Sequence, residues 1–431
     1  MKNVFVLGLD PRNHRKLKNV LNAEQYNFLE LCRYDELRRD GKYRFSEILH
    51  KASTALREFD GPVDAVISYW DFPASSIVPI LCEQQGLPSA SLASVIKCEH
   101  KYWSRLEQKK VVPEHVPGFQ AVNPFDDAAE ERIELAYPFW LKPIKAHSSQ
   151  LGFRIHDRRD LQSALAHIRR GIWRFAEPFN AALSHVQLPT EVRDIDGNHC
   201  IAEQMVHGSQ CTIEGYVLRG EPTVYGVVDS IRDKNHSSFL RYQYPSGLPK
   251  RVQREMSDIS CRLVTALGYD NATFNIEFFW DRHHDRLWLL EINPRLSQSH
   301  SEIFEKVDGV TNLDKMVEVA LGRAPQHREG AGEVGVAAKC FLRHWHDALV
   351  RRVPTQQEVH ALEQAVPGAV VEIVPEQGQR LSQLSNQDSY SYELALIHLG
   401  AHDQHELVEK YRRCAQGLHF DLDEDQGGGS T

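Results

Sequence analysis

The stretch Thr273-Phe274-Asn275-Ile276-Glu277-Phe278-Phe279-Trp280-Asp281, followed after a polar turn by Arg286-Leu287-Trp288-Leu289-Leu290-Glu291-Ile292-Asn293-Pro294-Arg295, decides how this chain is read. Both segments are apolar runs broken by a glutamate, and a His-His-Asp turn joins them as a hairpin. A carboxylate in a strand that otherwise belongs to a core is costly unless it is paired or bound to a cation. Glu277 and Glu291 lie fourteen residues apart with the turn between them, so the two strands can set them side by side. Asn293 shares the face of Glu291, because side chains in a strand alternate with period two. Two carboxylates and an amide oxygen on one face are hard oxygen ligands suited to Mg²⁺ bridging nucleotide phosphates. Arg295 continues that face with a fixed cation that can hold a phosphoryl or carboxylate oxygen through two hydrogen bonds. Strand-edge acids neutralised by nearby Arg and Lys are the competing reading; it suits Glu277 alone better than it suits the four residues together.

Around this hairpin the chain divides into α/β and α+β segments. Residues 1–97 alternate strand and helix signals. Asn3–Leu7 is a short apolar run ending at Gly8, a helical stretch follows around Arg15–Leu21, and Val63–Ser68 is a second strand. This predicts a small open α/β sheet; a lone Gly8 without the full glycine fingerprint is weak evidence for nucleotide binding there. Residues 98–330 open with a charged helix over Glu99–Gln108. Two strands with a loop between Pro138 and His156 and a helix over Leu161–Arg170 follow, within a smaller lobe of about 125–206. Strands over Cys200–Val206, Thr212–Leu218 and Thr223–Ser230, a helix over Met256–Leu267, the acidic hairpin and a helix over Leu313–Leu321 complete this part. Residues 331–420 return to short strands around Val336–Leu342, Val370–Val374 and Leu394–Leu399 with a final helix, Glu406–Gln416, and predict a small α+β closing domain. Residues 421–431, ending in Gly-Gly-Gly-Ser-Thr, predict a flexible tail.

The bulk composition fits this division. A chain of 431 residues is too long for one core. A net charge of -9 argues against sequence-independent binding to nucleic acid or to an anionic membrane surface. The eight cysteines are scattered singly, which excludes a zinc ribbon or a disulfide framework and predicts reduced, buried thiols. No run approaches the roughly 18 apolar residues needed to cross a bilayer, and the N-terminal apolar run reads as a strand, so a cytoplasmic protein is expected.

The segment Asn275–Arg295 resembles the metal-binding signature of the ATP-grasp superfamily, and further matches lie upstream in that family's order. Lys101, in Glu99-His100-Lys101-Tyr102-Trp103, resembles the first nucleotide-binding lysine. Lys142, in Trp140-Leu141-Lys142-Pro143, resembles the second, a strand lysine that reaches the phosphates. His147-Ser148-Ser149-Gln150-Leu151-Gly152 stands where the phosphate-covering loop lies, with Ser148 and Ser149 offering hydroxyl donors. Glu203-Gln204-Met205-Val206 resembles the hinge between lobes, so Glu203, Met205 and Val206 are expected near the adenine, and Gln210 stands where the family places a ribose-binding acid. Two departures are evident: the loop has no glycine before Gly152, and Gln210 is an amide where a carboxylate is usual.

The resemblance implies a fold of the ATP-grasp type, with ATP and Mg²⁺ (Mn²⁺ as a substitute) as cofactors. It further implies an enzyme that activates a carboxylate as an acyl phosphate for attack by an amine, with an amino acid or small peptide as substrate. Homodimers are common among similar proteins, and the sequence alone does not fix the oligomeric state. Arg295 would meet the developing oxyanion. His300, in Leu296-Ser297-Gln298-Ser299-His300-Ser301, is an imidazole, the side chain most often used to take a proton, here from the amine. Arg241, in Phe239-Leu240-Arg241-Tyr242, is a second basic candidate, with a solvated arginine as the alternative. Two other readings stand beside the ligase: an enzyme like biotin carboxylase that activates bicarbonate, and a nucleotide-binding protein without turnover.

Overall fold

The computed structural model describes residues 1–39, 42–146, 150–233, 238–384, 387 and 391–424. Its N-terminal part is a three-stranded parallel sheet with Lys2–Leu9 in the middle, flanked by Tyr26–Arg33 and Ala65–Ile67. The central strand is covered on both faces, Phe5 and Leu7 packing into one apolar cluster and Val4 and Val6 into another. Burial on two sides explains why it reads as a continuous apolar run. The first helix spans Pro11–Leu17, earlier than the Arg15–Leu21 expectation. Asp10 fixes its start by accepting the backbone N–H groups of Arg12 and Asn13 at 3.0 Å, and Pro11 suits a first helical turn. Gly8 has φ +83, and a Cβ there would lie 2.6 Å from Trp70 Cδ1. Its carbonyl accepts the Trp70 indole N–H at 2.6 Å, so Gly8 admits Trp70 at this turn.

The charged helix expected over Glu99–Gln108 is split. One helix spans Leu92–Glu99 and the next Lys101–Val111, with His100 between them at ψ 95. The His100 ring accepts the Trp103 backbone N–H at Nδ1, 3.1 Å away, and caps the second helix. Burial pushes the His100 imidazolium down to about 4, which keeps this acceptor neutral. Lys101 therefore sits in a first helical turn.

A four-stranded sheet with the order Phe119–Val122, Cys200–Gln204, Phe139–Pro143, Phe153–Ile155 forms the smaller lobe. It packs on the Arg158–Gly171 helix through Phe139, Leu141, Ile155, Leu161 and Leu165. The larger lobe is an eight-stranded sheet in the order Arg286–Asn293, Ala272–Asp281, Ser209–Leu218, Glu221–Arg232, Phe239–Tyr244, Val336–His344, Tyr392–Ala401, Val370–Ile373. The strands of the C-terminal segment thus continue the sheet that begins with the acidic hairpin. Their outer face is closed by the Gln404–Gly417 helix through Leu407 and Cys414. No helix among the described residues is long and apolar enough to cross a membrane. Seven cysteines are buried and none is in a disulfide.

Candidate active site

The hairpin register places Glu277 opposite Glu291 and Asn275 opposite Asn293, with an irregularity just after Glu277. Cross-strand partners share a face, so two acids and two amides form a square on the floor of a cleft of about 1070 Å³. Phe274, Ile276 and Phe278 point the other way into the core. Asn293 Nδ2 donates to Asn275 Oδ1 at 2.8 Å and to Glu277 Oε1 at 3.3 Å, which leaves Asn293 Oδ1 as its ligand atom. Desolvation, reinforced by the facing Glu291 charge, pushes the Glu277 carboxyl above its ordinary range. Desolvation works against Glu291 as well, but the Lys101 and Lys142 ammonium groups outweigh it and hold that carboxyl below its ordinary range.

The lysines arrive from two other elements. Lys101 Nζ lies 3.1 Å from Glu291 Oε1 and donates to the Ala146 carbonyl at 3.1 Å. Lys142 Nζ lies 2.5 Å from Glu203 Oε2. Glu203 is buried, and burial alone would raise its pKa, but Arg105 and Lys142 bring the carboxyl down to about 2. Arg105 is the residue that the sequence does not disclose. It is buried; its Nε meets Glu203 Oε1 at 2.5 Å, and its Nη1 donates to Gln108 Oε1 at 2.6 Å and to the Leu289 carbonyl at 2.9 Å. Its Nη2 donates to the Leu290 carbonyl at 2.8 Å. One guanidinium thus ties the strand that carries Glu291 to the strand that carries Glu203.

Gln210 lines the cleft and joins two charges: its Nε2 donates to Glu277 Oε2 at 2.7 Å, and its Oε1 accepts Arg232 Nε at 2.5 Å. A carboxylate in its place would set a third negative charge against Glu277, which gives the amide a physical reason here. Met205 and Val206 follow the Cys200–Gln204 strand and line the cleft, half-buried. Ser148 and Ser149 lie outside the described residues. Lys145, just ahead of them, is buried, lies 3.4 Å from Glu99 Oε2 and stands 5.5 Å from the centre of the Phe72 ring.

Arg295 Nη2 pairs with Asp71 Oδ2 at 2.6 Å, so a residue of the N-terminal part orients it. His300 is buried at the cleft wall, and its Nδ1 meets Glu214 Oε1 at 2.8 Å. Glu214 also accepts the Ser297 backbone N–H at 3.0 Å and the Tyr225 hydroxyl at 3.0 Å. With Nδ1 donating to this carboxylate, Nε2 is the ring atom left to accept a proton. Arg241 is a correction. It pairs across strands with Cys340, which packs in the cluster under the Gln404–Gly417 helix, whereas its neighbour Tyr242 lines the cleft. Strand alternation turns Arg241 to the far side of the sheet, away from the other candidates.

The donor set fits a hard divalent ion. Two facing carboxylates and an amide oxygen are present, and desolvation together with the facing charge raises one of the acids. Among the described residues no cluster of three or more His, Cys, Asp or Glu forms a cage. Glu277, Glu291 and Asn293 would hold such an ion, which would supply positive charge for nucleotide phosphates.

Residues 135–302 match the family described as the ATP-grasp domain. The chain is similar to a D-alanine–D-alanine ligase of Pseudomonas putida (strain GB-1), 23% identical over 243 residues that cover 54% of this chain and 67% of that protein. Its fold is similar to the crystal structure of an L-amino acid ligase from Bacillus licheniformis, with a TM-score of 0.75 and 18% identity over 98% of this chain and 99% of the other. A biotin carboxylase from Campylobacter jejuni, solved as a complex with β-γ-ATP, superposes with a TM-score of 0.63 and 14% identity over 98% of this chain and 92% of that one.

Proposed function

Because the chain belongs to the ATP-grasp superfamily, we propose that it is an ATP-dependent carboxylate–amine ligase that forms an amide bond through an acyl phosphate, acting on an amino acid or small peptide. The observation that carries this reading is the facing pair Glu277 and Glu291, set with Asn293 in a cleft that also holds Lys101, Lys142 and Arg295. Bound Mg²⁺ would supply neutralisation of the phosphate charge at Glu277, Glu291 and Asn293. Lys101 and Lys142 are poised to hold phosphate oxygens, each resting on an acid (Glu291 and Glu203) until nucleotide arrives. Met205 and Val206 supply an apolar wall for the base.

Arg295, steadied by Asp71, would bind the carboxylate to be activated and stabilise the charge that develops when the amine attacks its carbonyl carbon. His300 would take the proton released by that amine at Nε2, with Glu214 balancing the resulting imidazolium through Nδ1. Phosphate then leaves the acyl carbon as the amide bond forms.

Product analysis tests the reading. Mass spectrometry of mixtures containing ATP, Mg²⁺ and a pooled amino-acid library should show ADP and a new amide, both absent with Glu291→Gln. ADP release that needs bicarbonate and biotin, or no release at all across the pool, contradicts it.

A further inference from the structure

The cleft extends beyond the acids along one face of the large sheet. Cross-strand pairs run Gln210–Ser230, Ser230–Tyr242, Tyr242–Lys339 and Lys339–His398, so these side chains share the face that carries the acidic pair. Lys339 lines the cleft and is only 8% exposed. Its Nζ donates to the Ser299 hydroxyl at 3.2 Å and lies 5.3 Å from the centre of the Phe341 ring, and no acid lies within salt-bridge distance among the described residues. A buried ammonium held only by a hydroxyl and a ring face is incompletely compensated. Burial and the positive charge of Arg12 push it down to about 8.

The groups around Lys339 do not neutralise it. Arg12 and Lys16, on the Pro11–Leu17 helix, are cationic; Lys16 Nζ lies 2.6 Å from Glu302 Oε1, and Arg12 Nη2 lies 3.2 Å from Glu372 Oε2. Those two acids are thus engaged by those two cations. Glu393 is engaged by Arg343 at 3.0 Å. His398, directly across from Lys339, is buried with neither ring nitrogen hydrogen-bonded among the described residues, and burial drives its pKa down to about 3, so it is neutral. The local balance is one uncompensated positive charge facing the cleft.

We propose that Lys339, flanked by Arg12 and Lys16, binds a second carboxylate of the substrates, distinct from the one activated at Arg295. A single surplus charge matches a carboxylate monoanion better than a phosphate dianion, and Ser299 adds a hydroxyl donor beside it. Ser299 follows Arg295 by four residues and directly precedes His300, so the subsite adjoins the reacting groups. The inference rests on the ligase reading for its chemistry. Its carboxylate is either an acidic side chain of the acyl donor or the free carboxylate of the amine acceptor.

Calorimetric titration of the full chain in the presence of MgADP, with succinate and glutarate against butyrate, tests the subsite without turnover. A dicarboxylate should bind at least tenfold more tightly than butyrate. Lys339→Met should erase that preference and Lys339→Arg should keep it, with the MgADP titration of each variant reporting that it is folded. No preference in the wild type, or a preference that survives in Lys339→Met, overturns the proposal. If Lys339→Met does not fold, Arg12→Gln with Lys16→Gln should reduce the preference at least threefold, and an unchanged preference there overturns it. Turnover then separates the two sources. Loss confined to acidic acyl donors assigns the side chain, and loss confined to acceptors with a free carboxylate, compared with their amides, assigns the acceptor. A wild type that makes no ADP yet prefers dicarboxylates would refute the ligase and leave the anion subsite standing.

Discussion

Replacing Arg105 by methionine keeps most of the apolar stem and removes the guanidinium that joins three elements. The loss leaves Glu203 with Lys142 alone and strips donors from Gln108 Oε1 and from the Leu289 and Leu290 carbonyls. Removing one partner of a buried ion pair costs about 3–5 kcal/mol, because the other charge stays desolvated. If the described lobes unfold together, the typical unfolding entropy for a chain of 431 residues converts this into a fall in Tm of roughly 3–6 °C. The acid limb of stability should change too. Glu203 is held at about 2 against an ordinary 4.5. A carboxyl depressed on folding contributes stability that is present above about 4.5 and lost as the pH falls towards 2, about 3 kcal/mol in all. Without Arg105 the carboxyl moves back up, so the variant should begin to lose stability at a higher pH than the wild type. Thermal melts at pH 7.5, 5 and 3.5 measure both effects. A Tm within 1 °C of the wild type at pH 7.5, with an unchanged acid limb, would refute the assignment of Arg105 as the strut between the two strands.

Other expectations follow from the same contacts. Glu277 is raised on folding by desolvation and by Glu291, so its ionised form costs stability at neutral pH, a cost that begins to ease as the pH falls to the raised value and is gone below the ordinary carboxylate range. Glu277→Gln, which keeps an acceptor for Gln210, should therefore raise Tm in metal-free buffer and abolish the further rise that Mg²⁺ with nucleotide gives the wild type; melts with and without both ligands check this. Gly215→Ala would bring a Cβ within 2.3 Å of Phe274 Cζ and 2.8 Å of the Thr223 carbonyl. Overpacking of this kind costs about 1–3 kcal/mol, and a melt should show it as a fall in Tm.

Much of the site was legible because it is local. The fourteen-residue spacing of Glu277 and Glu291 and the strand alternation that sets Asn293 beside Glu291 predict a hairpin with facing acids, and the register places Glu277 against Glu291. Lys142 was legible as a lysine in an apolar strand. What escaped depends on contacts between distant segments. Arg105 lies in a helix rich in charges and looks solvated; Glu203, Leu289 and Leu290, which it joins, stand 98, 184 and 185 residues away. Asp71, which orients Arg295, is 224 residues from it. Arg241 misleads in the opposite direction, since a basic residue beside aromatic ones resembles a cleft residue, and only the pairing with Cys340 shows which face it takes. The C-terminal strands read as a small α+β closing domain; which sheet they join, here the one that carries the acidic hairpin, is not legible in a sequence.

The central claim is that Glu277 and Glu291 together hold a divalent ion that carries the nucleotide phosphates. Electron paramagnetic resonance of Mn²⁺, titrated into the protein with a non-hydrolysable ATP analogue, measures this directly. The wild type should bind Mn²⁺ in a nucleotide-dependent manner, and Glu277→Gln with Glu291→Gln should weaken that binding at least a hundredfold. Equal nucleotide-dependent Mn²⁺ binding by the wild type and the double variant would contradict the account.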